Sequence, residues 1–269
     1  MPTIINKYRI YPNVETEAKL VGALENCRWL YNRLLEETKK AKEAGEPLRM
    51  YDCQNMIPRL KDEYPILGSV HSKVLQMVNY TLWANIRGLS ALKKNGWKVG
   101  HIRFKGKGWY KTLNYNQSGF SFDGDMLHLS KIGDIRVKMH RPIQGKIKGV
   151  IIKQEGQKWY AIIQMDAEIH VLPPNDRAVG IDVGLKSFAV DSDGYDFENP
   201  RHLGHMLDRI KNAQRDLSRK KKGSNNREKA KAKLAKVHDK TNNQRMISCI
   251  NCPGTMSTAT VRYASKHSM

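Results

Sequence analysis

The sequence predicts an α+β fold: a small β-barrel or curled sheet with a helical bundle inserted in it, followed by a second, shorter unit of strands and helices. Three observations carry this. Residues 3–11 alternate with period two. Residues 13–95 repeat their apolar positions every three or four residues. Residues 96–172 return to short strand-like runs. A strand parted from other strands by a long helical stretch reads as one sheet with an insertion.

In the first strand, Ile5, Lys7, Arg9 and Tyr11 fall on one face and Ile4, Tyr8 and Ile10 on the other, a half-buried pattern. Pro12 and Asn13 end it. Asn13 is a good helix N-cap, and Glu15 and Glu17 suit the positive end of the helix dipole. Leu20, Leu24, Cys27, Tyr31, Leu34 and Leu35 then recur at helical spacing. Lys39, Lys40 and Lys42 occupy the last turns, and Gly45 is a fitting stop. A second helix is expected over Tyr51–Asp62, before Pro65, and a third over Ser69–Leu92. Past Gly96, strands are expected at Phe120–Phe122, Met126–Leu129, Ile135–Met139, Ile147–Lys153 and Trp159–Met165. Gln154–Gln157 reads as the hairpin turn between the last two. Pro173 and Pro174 read as a linker.

The second unit opens with two apolar strands, Ala178–Val183 and Ser187–Asp191, with Asp193-Gly194 as the following turn. Residues 200–245 are basic and helical by composition. Two helices turn around Gly223 to Asn226, with Leu207, Ile210 and Leu217 as their apolar seam. Residues 246–269 have no period and no Asp or Glu, and are expected to be an aberrant disordered tail.

Charge narrows the function. The chain has 269 residues, 47 Lys+Arg against 26 Asp+Glu, and a formal net charge of +21. Self-repulsion of that size points to a polyanionic partner. No apolar run is long enough to span a membrane, and the first residues do not read as a signal peptide. Four scattered cysteines, Cys27, Cys53, Cys249 and Cys252, do not form a disulfide framework. The expected setting is cytoplasmic, reducing and nucleoid-associated, with no membrane partner. Cys249 and Cys252 have zinc-knuckle spacing without a second pair, so no complete zinc site is expected.

The charge is uneven. Residues 176–199 carry six acidic and two basic residues, between two basic blocks. Such an island is either a set of acidic turns or a metal-binding set. Asp182 is the leading candidate within it, because a carboxylate in an apolar strand is costly unless paired or metal-bound. Gly180 and Gly184 would let a metal-bound phosphate approach, although an Asp starting a turn would look the same. A second candidate is the stretch 97–115. There Lys98, Arg103, Lys105, Lys107 and Lys111 interleave with Trp97, Phe104, Trp109, Tyr110 and Tyr115. Either the lysines meet phosphates and the aromatics stack on bases, or the aromatics are core and the lysines a solvated face. Lys7 and Arg9 on the first strand are further basic candidates. The run Arg219, Lys220, Lys221 and Lys222 is a phosphate clamp or a solvated loop.

These residues also carry a family resemblance. The run VGIDVGLKSFAVDSDG (179–194), ENPRHL (198–203) and RDLSRKKKGSNNREKAKAKLAKVHDKTNNQR (215–245) resembles the TnpB family of OrfB-type insertion-sequence proteins. So do KYRIYPN (7–13), CRWLYN (27–32) and HRPIQGKIKGV (140–150). The resemblance implies an RNA-guided DNA endonuclease related to Cas12 effectors, with guide RNA and target DNA as partners. It implies a β-barrel wedge domain over 1–12 and 96–172 and an inserted recognition lobe over 13–95. It implies the first part of a RuvC-like, RNase H-fold nuclease domain over 176–245. Family members bind Mg²⁺ with three acids, the first of which corresponds to Asp182. The matching pattern stops at Arg245, and the family's later catalytic Glu, zinc ribbon and final Asp have no counterpart in 246–269. The sequence-based expectation is a chain cut short by frameshift or deletion and unable to cleave alone. The alternatives are a cleavage-dead binder acting by occupancy and a basic structural RNA-binding protein.

Overall fold

The computed structural model describes residues 3–143, 145–166 and 180–254, the last seven of them by backbone alone. The chain divides into two units, residues 1–169 and 170–269. The Pro173-Pro174 linker, residues 178 and 179 of the expected strand, and residues 255–269 lie outside the described residues.

The first unit is built on β1 (Thr3–Tyr11). After it come α1 (Val14–Glu43), α2 (Met50–Glu63), a 3-10 turn (Pro65–Ser69) and α3 (Ser72–Lys94). Six strands follow: β2 (Thr112–Asn116), β3 (Phe120–Asp123), β4 (Met126–Leu129), β5 (Gly133–Lys138), β6 (Lys146–Glu155) and β7 (Lys158–Asp166). They form one antiparallel sheet in the order β2-β6-β7-β1-β5-β4-β3. The first strand of the chain is thus the middle of the sheet, and three helices are inserted before the next strand. A closed barrel was one expectation; the strand order is that of an open sheet with β2 and β3 at its edges.

Alternation decides which side chains go inward. β1 buries Tyr8 and Ile10, and β7 buries Trp159, Ala161, Ile163 and Met165. Leu113 and Tyr115 of β2, Leu127 and Leu129 of β4, Ile135 and Val137 of β5, and Val150 and Ile152 of β6 complete the inner face. The helices pack into the same core through Leu20, Leu30, Leu34, Leu75 and Leu82, each fully buried. One polar link fastens helix to sheet: the Trp159 indole N–H donates to the Glu17 carboxylate at 3.0 Å. β6 carries a bulge between Ile147 and Gly149. A Cβ at Gly149 would lie 3.1 Å from the Tyr115 carbonyl oxygen, so glycine lets β2 and β6 close up there.

α1 follows the sequence reading closely. The Asn13 side chain accepts from the Thr16 N–H at 2.8 Å. Gly45, at φ 83°, stands just past the C-cap Ala44. The six expected apolar positions are all buried. Cys27 among them is a free thiol whose pKa burial pushes up to about 12, which makes it unreactive. α2 tolerates Pro58 in its interior, against a penalty of ~3 kcal/mol, because Cys53, Ile57 and Leu60 anchor it in the core. α3 begins three residues later than expected, since Pro65 first makes a 3-10 turn. β2 is a strand that sequence reading missed.

The second unit has a small antiparallel sheet of β8 (Ile181–Asp182), β9 (Ser187–Asp191) and β10 (Asp196–Glu198), in the order β10-β9-β8. Two helices follow, α4 (His202–Arg219) and α5 (Asn225–Gly254). Arg227 caps the end of α4, donating to the carbonyls of Leu217 at 2.9 Å and Lys220 at 3.0 Å. The buried stripe of α4 is Met206, Ile210 and Ala213, with Leu217 half-buried. Leu207, expected in the seam, is 40% exposed, because it stands one residue, about 100°, off that stripe. Of the tail expected to be disordered, 246–269, residues 246–254 continue α5 and the rest lie outside the described residues. Extending a formed helix costs far less than starting one.

The cap at Asn13 gives a direct test. Asn13→Ala is expected to lower stability by about 1 kcal/mol, read from the urea midpoint at unchanged slope, while Asn13→Asp stays close to the parent.

Candidate nucleic-acid interface

The outer face of the large sheet gathers basic and aromatic side chains from four distant segments. In the β-ladder, Arg9 lies opposite Tyr160 on one side and Lys138 on the other, and Lys153 lies opposite Tyr160. Lys153, Tyr160, Arg9 and Lys138 therefore form a row across four adjacent strands, roughly 14 Å long at the usual strand spacing. Arg9 is held in place: its guanidinium donates to the Trp159 carbonyl at 3.3 Å and sits 5.2 Å from the Tyr160 ring centroid and 5.4 Å from that of Tyr11. Past Tyr11 the row opens on a concavity of about 570 Å³, lined also by Lys138 and by Arg136, which donates to Asp125 in the same lining at 3.1 Å.

Lys7 is less available than the sequence suggests. Its ammonium is 2.6 Å from Glu155 and 4.1 Å from the Tyr160 ring centroid. Glu155 also takes Lys153 at 2.8 Å. Burial alone would raise the pKa of Glu155, but the hydrogen bonds from Lys153 and Lys7 outweigh it and hold the carboxyl below the ordinary glutamate value. Among the described residues, Arg9 and Lys138 have no carboxylate partner, unlike the other cation of the row. Sequence reading named Lys7 and Arg9 but missed Lys138, Lys153 and Tyr160. Only the register brings those three together, and no linear signal encodes it.

The second surface is the loop from α3 to β2. From Tyr64 to Phe122 the chain has no acidic residue at all, while it carries nine Lys and Arg. The loop is clipped to α1 at Lys105. The Lys105 N–H donates to Asn32 Oδ1 at 2.8 Å, and its carbonyl accepts from Asn32 Nδ2 and Arg28 Nη1, both at 3.0 Å. This fixes which side chains point out. Arg103, Lys107 and Lys111 are exposed; Lys111 also donates to Gln154 at 3.1 Å. Lys105 is a partial correction: it is half-buried, its ammonium over the Tyr31 and Tyr110 rings at 4.8 and 5.8 Å. The aromatics split. Trp97, Phe104 and Trp109 are exposed, whereas Tyr110 and Tyr115 are core, with burial raising both phenol pKa values. Tyr110 turns inward just before β2 and Tyr115 within it, so the stacking reading survives for three of the five.

The second unit corrects the expectation at Asp182. β8 is two residues long there and the Asp182 side chain is exposed, as are Val183 and Leu185. Among the described residues the Asp182 carboxylate is open to solvent, where the apolar run predicted burial. Asp182 and Asp196 both lie opposite Val190, on either side of it across the small sheet. Asp196 accepts from the Ser187 hydroxyl at 2.9 Å. Asp191 closes the turn, accepting from the N–H groups of Asp193 at 3.1 Å and Tyr195 at 2.8 Å. Among the described residues, no group of three or more His, Cys, Asp or Glu is placed to hold a metal ion. The side chains of Cys249 and Cys252 lie outside the described ones. In the 219–222 run, Lys220 pairs with Asp216 at 3.2 Å, while Arg219, Lys221 and Lys222 are exposed at the tip of the helical hairpin.

Comparison with known proteins gives this geometry a context. The family model OrfB_IS605, described as "Probable transposase", matches residues 161–246. A second, HTH_OrfB_IS605, described as "Helix-turn-helix domain", matches residues 3–46, where this chain forms one strand and one uninterrupted helix. A "Putative RNA-guided DNA endonuclease" of Streptomyces pristinaespiralis is 29% identical over 247 residues, covering 89% of this chain and 60% of that protein. The "Putative RNA-guided DNA endonuclease InsQ" of Escherichia coli (strain K12) is 27% identical over 249 residues, covering 86% and 58%. The chain thus spans about three-fifths of the length of these curated relatives. A solved Cas12f1–sgRNA–target DNA complex aligns over 91% of this chain and 76% of the other, at 12% identity and a TM-score of 0.33. No helix among the described residues is long and apolar enough to cross a membrane.

The row makes a measurable claim. Replacing Arg9 and Lys138 together by Ala is expected to weaken nucleic-acid binding irrespective of sequence. It should flatten the slope of log affinity against log salt by about one per cation removed. A salt titration by fluorescence anisotropy reads both, and an unchanged slope would exclude the row as a phosphate contact.

Proposed function

Because the chain belongs to the TnpB family of OrfB-type insertion-sequence proteins, we propose that it binds a guide RNA and, through it, target DNA. The observation that carries this is the cross-strand row of Lys153, Tyr160, Arg9 and Lys138, to which the register brings cations from both ends of the first unit. The acid-free stretch from Tyr64 to Phe122 extends the same potential onto α3 and its loop. In this reading, residues 1–12 and 96–172 are a wedge domain and 13–95 the recognition lobe inserted in it. Residues 176–245 are the opening of a RuvC-like nuclease domain, a reading supported by its antiparallel hairpin sheet and following helices. The protein would track phosphate backbones, and base pairing by the guide would read sequence.

The described residues do not assemble a cleavage centre. Asp182 matches the first acid of the family's Mg²⁺-binding set, and among the described residues it stands exposed with no second and third acid converging on it. The function these residues support is recognition of nucleic acid, and cleavage would need further acids beside Asp182. The competing endonuclease reading makes Asp182 a ligand of Mg²⁺, and the two differ in a simple assay.

Purified with RNA transcribed from its own locus, the chain is expected to retain RNA and to bind DNA only when that RNA is present. Asp182→Ala and EDTA should each leave the DNA affinity unchanged within about twofold, since phosphate contacts by Lys and Arg need no metal. Absence of retained RNA, or DNA binding indifferent to RNA, would sink the guided reading. Mg²⁺-dependent cutting lost in Asp182→Ala would add nuclease activity to recognition.

A further inference from the structure

We infer that the loop between α3 and β2, residues 95–111, is a stacking platform for unpaired nucleotides, with Trp97 and Trp109 as the base-contacting faces. This rests on the nucleic-acid reading above and adds which form of nucleic acid is held there and by which residues.

Trp97 is 67% exposed and Trp109 74% exposed. Indole is a large apolar surface, and two exposed tryptophans in one short loop cost solvation energy that the fold does not recover. The same loop sends Tyr110 into the core two residues before β2 begins, so inward positions exist and the indoles do not take them. Phe104 has one face covered by the Lys39 ammonium, 4.4 Å from its ring centroid. Among the described residues neither indole has a ring or cation partner, so both present free faces.

The loop is preorganised. Asn32 and Arg28 clip it at Lys105. Trp109 is set by a tight turn in which its N–H donates to the Gly106 carbonyl at 3.1 Å, with Gly108 at φ 75°. A Cβ at Gly106 would come within 3.3 Å of Trp109 Cδ1, so glycine keeps that ring's position. Surfaces fixed before binding lose little entropy on binding. Lys98, Arg103, Lys107 and Lys111 flank the indoles along the chain, in a stretch with no acid.

Chemistry selects the ligand. The cations serve any phosphate backbone. The indoles serve only bases whose faces are open, since bases in a duplex already stack on each other. Single strands should therefore gain from both groups and duplexes from the cations alone. An anionic membrane surface also attracts lysine and tryptophan, but the loop is neither helical nor aliphatic, and its Val99 and Ile102 are half-buried.

The test uses the full chain and labelled oligonucleotides of equal length, single-stranded and duplex, by anisotropy at one salt concentration. Trp97→Ala with Trp109→Ala is expected to weaken single-strand binding by about tenfold or more, with duplex binding unchanged within about twofold. The Phe replacements at both positions should keep most of the single-strand affinity. Because both indoles are exposed, the circular-dichroism melt should stay as in the parent. Equal loss for single strand and duplex, or no loss for either, overturns the inference while the nucleic-acid reading stands. If the parent chain binds neither form, that reading falls and this inference with it. Displacement of bound oligonucleotide by anionic vesicles, with a blue shift of tryptophan emission, overturns it in favour of a lipid surface.

Discussion

The pairing of β1 with both β7 and β5 is the constraint from which the rest of the first unit follows. Eight residues of β1 are in register with β7, and Arg9, Ile10 and Tyr11 also pair with β5. The ladder puts Tyr8 and Ile10 under the helices and Lys7 and Arg9 on the outer face. A slip of one residue would exchange the two sets, burying an arginine and exposing the core. Two features outside the ladder oppose a slip. The Trp159 indole is bonded to Glu17 at the start of α1, and the bulge before Gly149 fixes where β6 meets β2. The cross-strand row is thus a consequence of core packing. Its geometry is as fixed as the burial of Tyr8 and Trp159.

The same constraint separates the charges. Many acids of the first unit are engaged in ion pairs, local ones such as Glu15 with Lys19 and Glu36 with Lys40, and a cross-strand one of Glu155 with Lys7 and Lys153. Between Tyr64 and Phe122 there is none, so the charges carried by that stretch are of one sign. Repulsion among those cations opposes folding, and a polyanion would relieve it. Coupling between ligand and fold is expected from that alone: whatever neutralises the stretch also stabilises the unit.

How much of this the sequence disclosed depended on whether the signal was local. α1 was legible from its cap, its first-turn acids and its apolar spacing, because each acts within one or two turns. β2 was not, because Thr112–Asn116 follows a Gly- and Lys-rich loop and becomes a strand only by pairing with β6. For the same reason Tyr110 and Tyr115 looked like their exposed neighbours. The cross-strand row was half legible: Lys7 and Arg9 stood on a recognisable face, while Lys138, Lys153 and Tyr160 needed the register. Asp182 misled in the opposite direction. An apolar run around an acid implies burial only if something packs over it, and here Val183 and Leu185 are themselves exposed.

That distinction bears on the helix-turn-helix match of the first unit. Residues 3–46 match a model described as a helix-turn-helix domain, a motif that reads DNA by laying a second helix in the major groove. α1 is unsuited to that. It carries six acidic and six basic residues, several of them paired with each other, so its field is close to neutral. Its apolar face is committed to the core, and no second helix follows a short turn within the matched span. A groove-reading helix needs a basic surface and freedom to approach base edges. In this chain those properties belong to the outer face of the sheet and to the loop before β2. Neither is shaped to enter a major groove and read base pairs. On the function proposed above, both would suit a phosphate backbone or an unpaired strand.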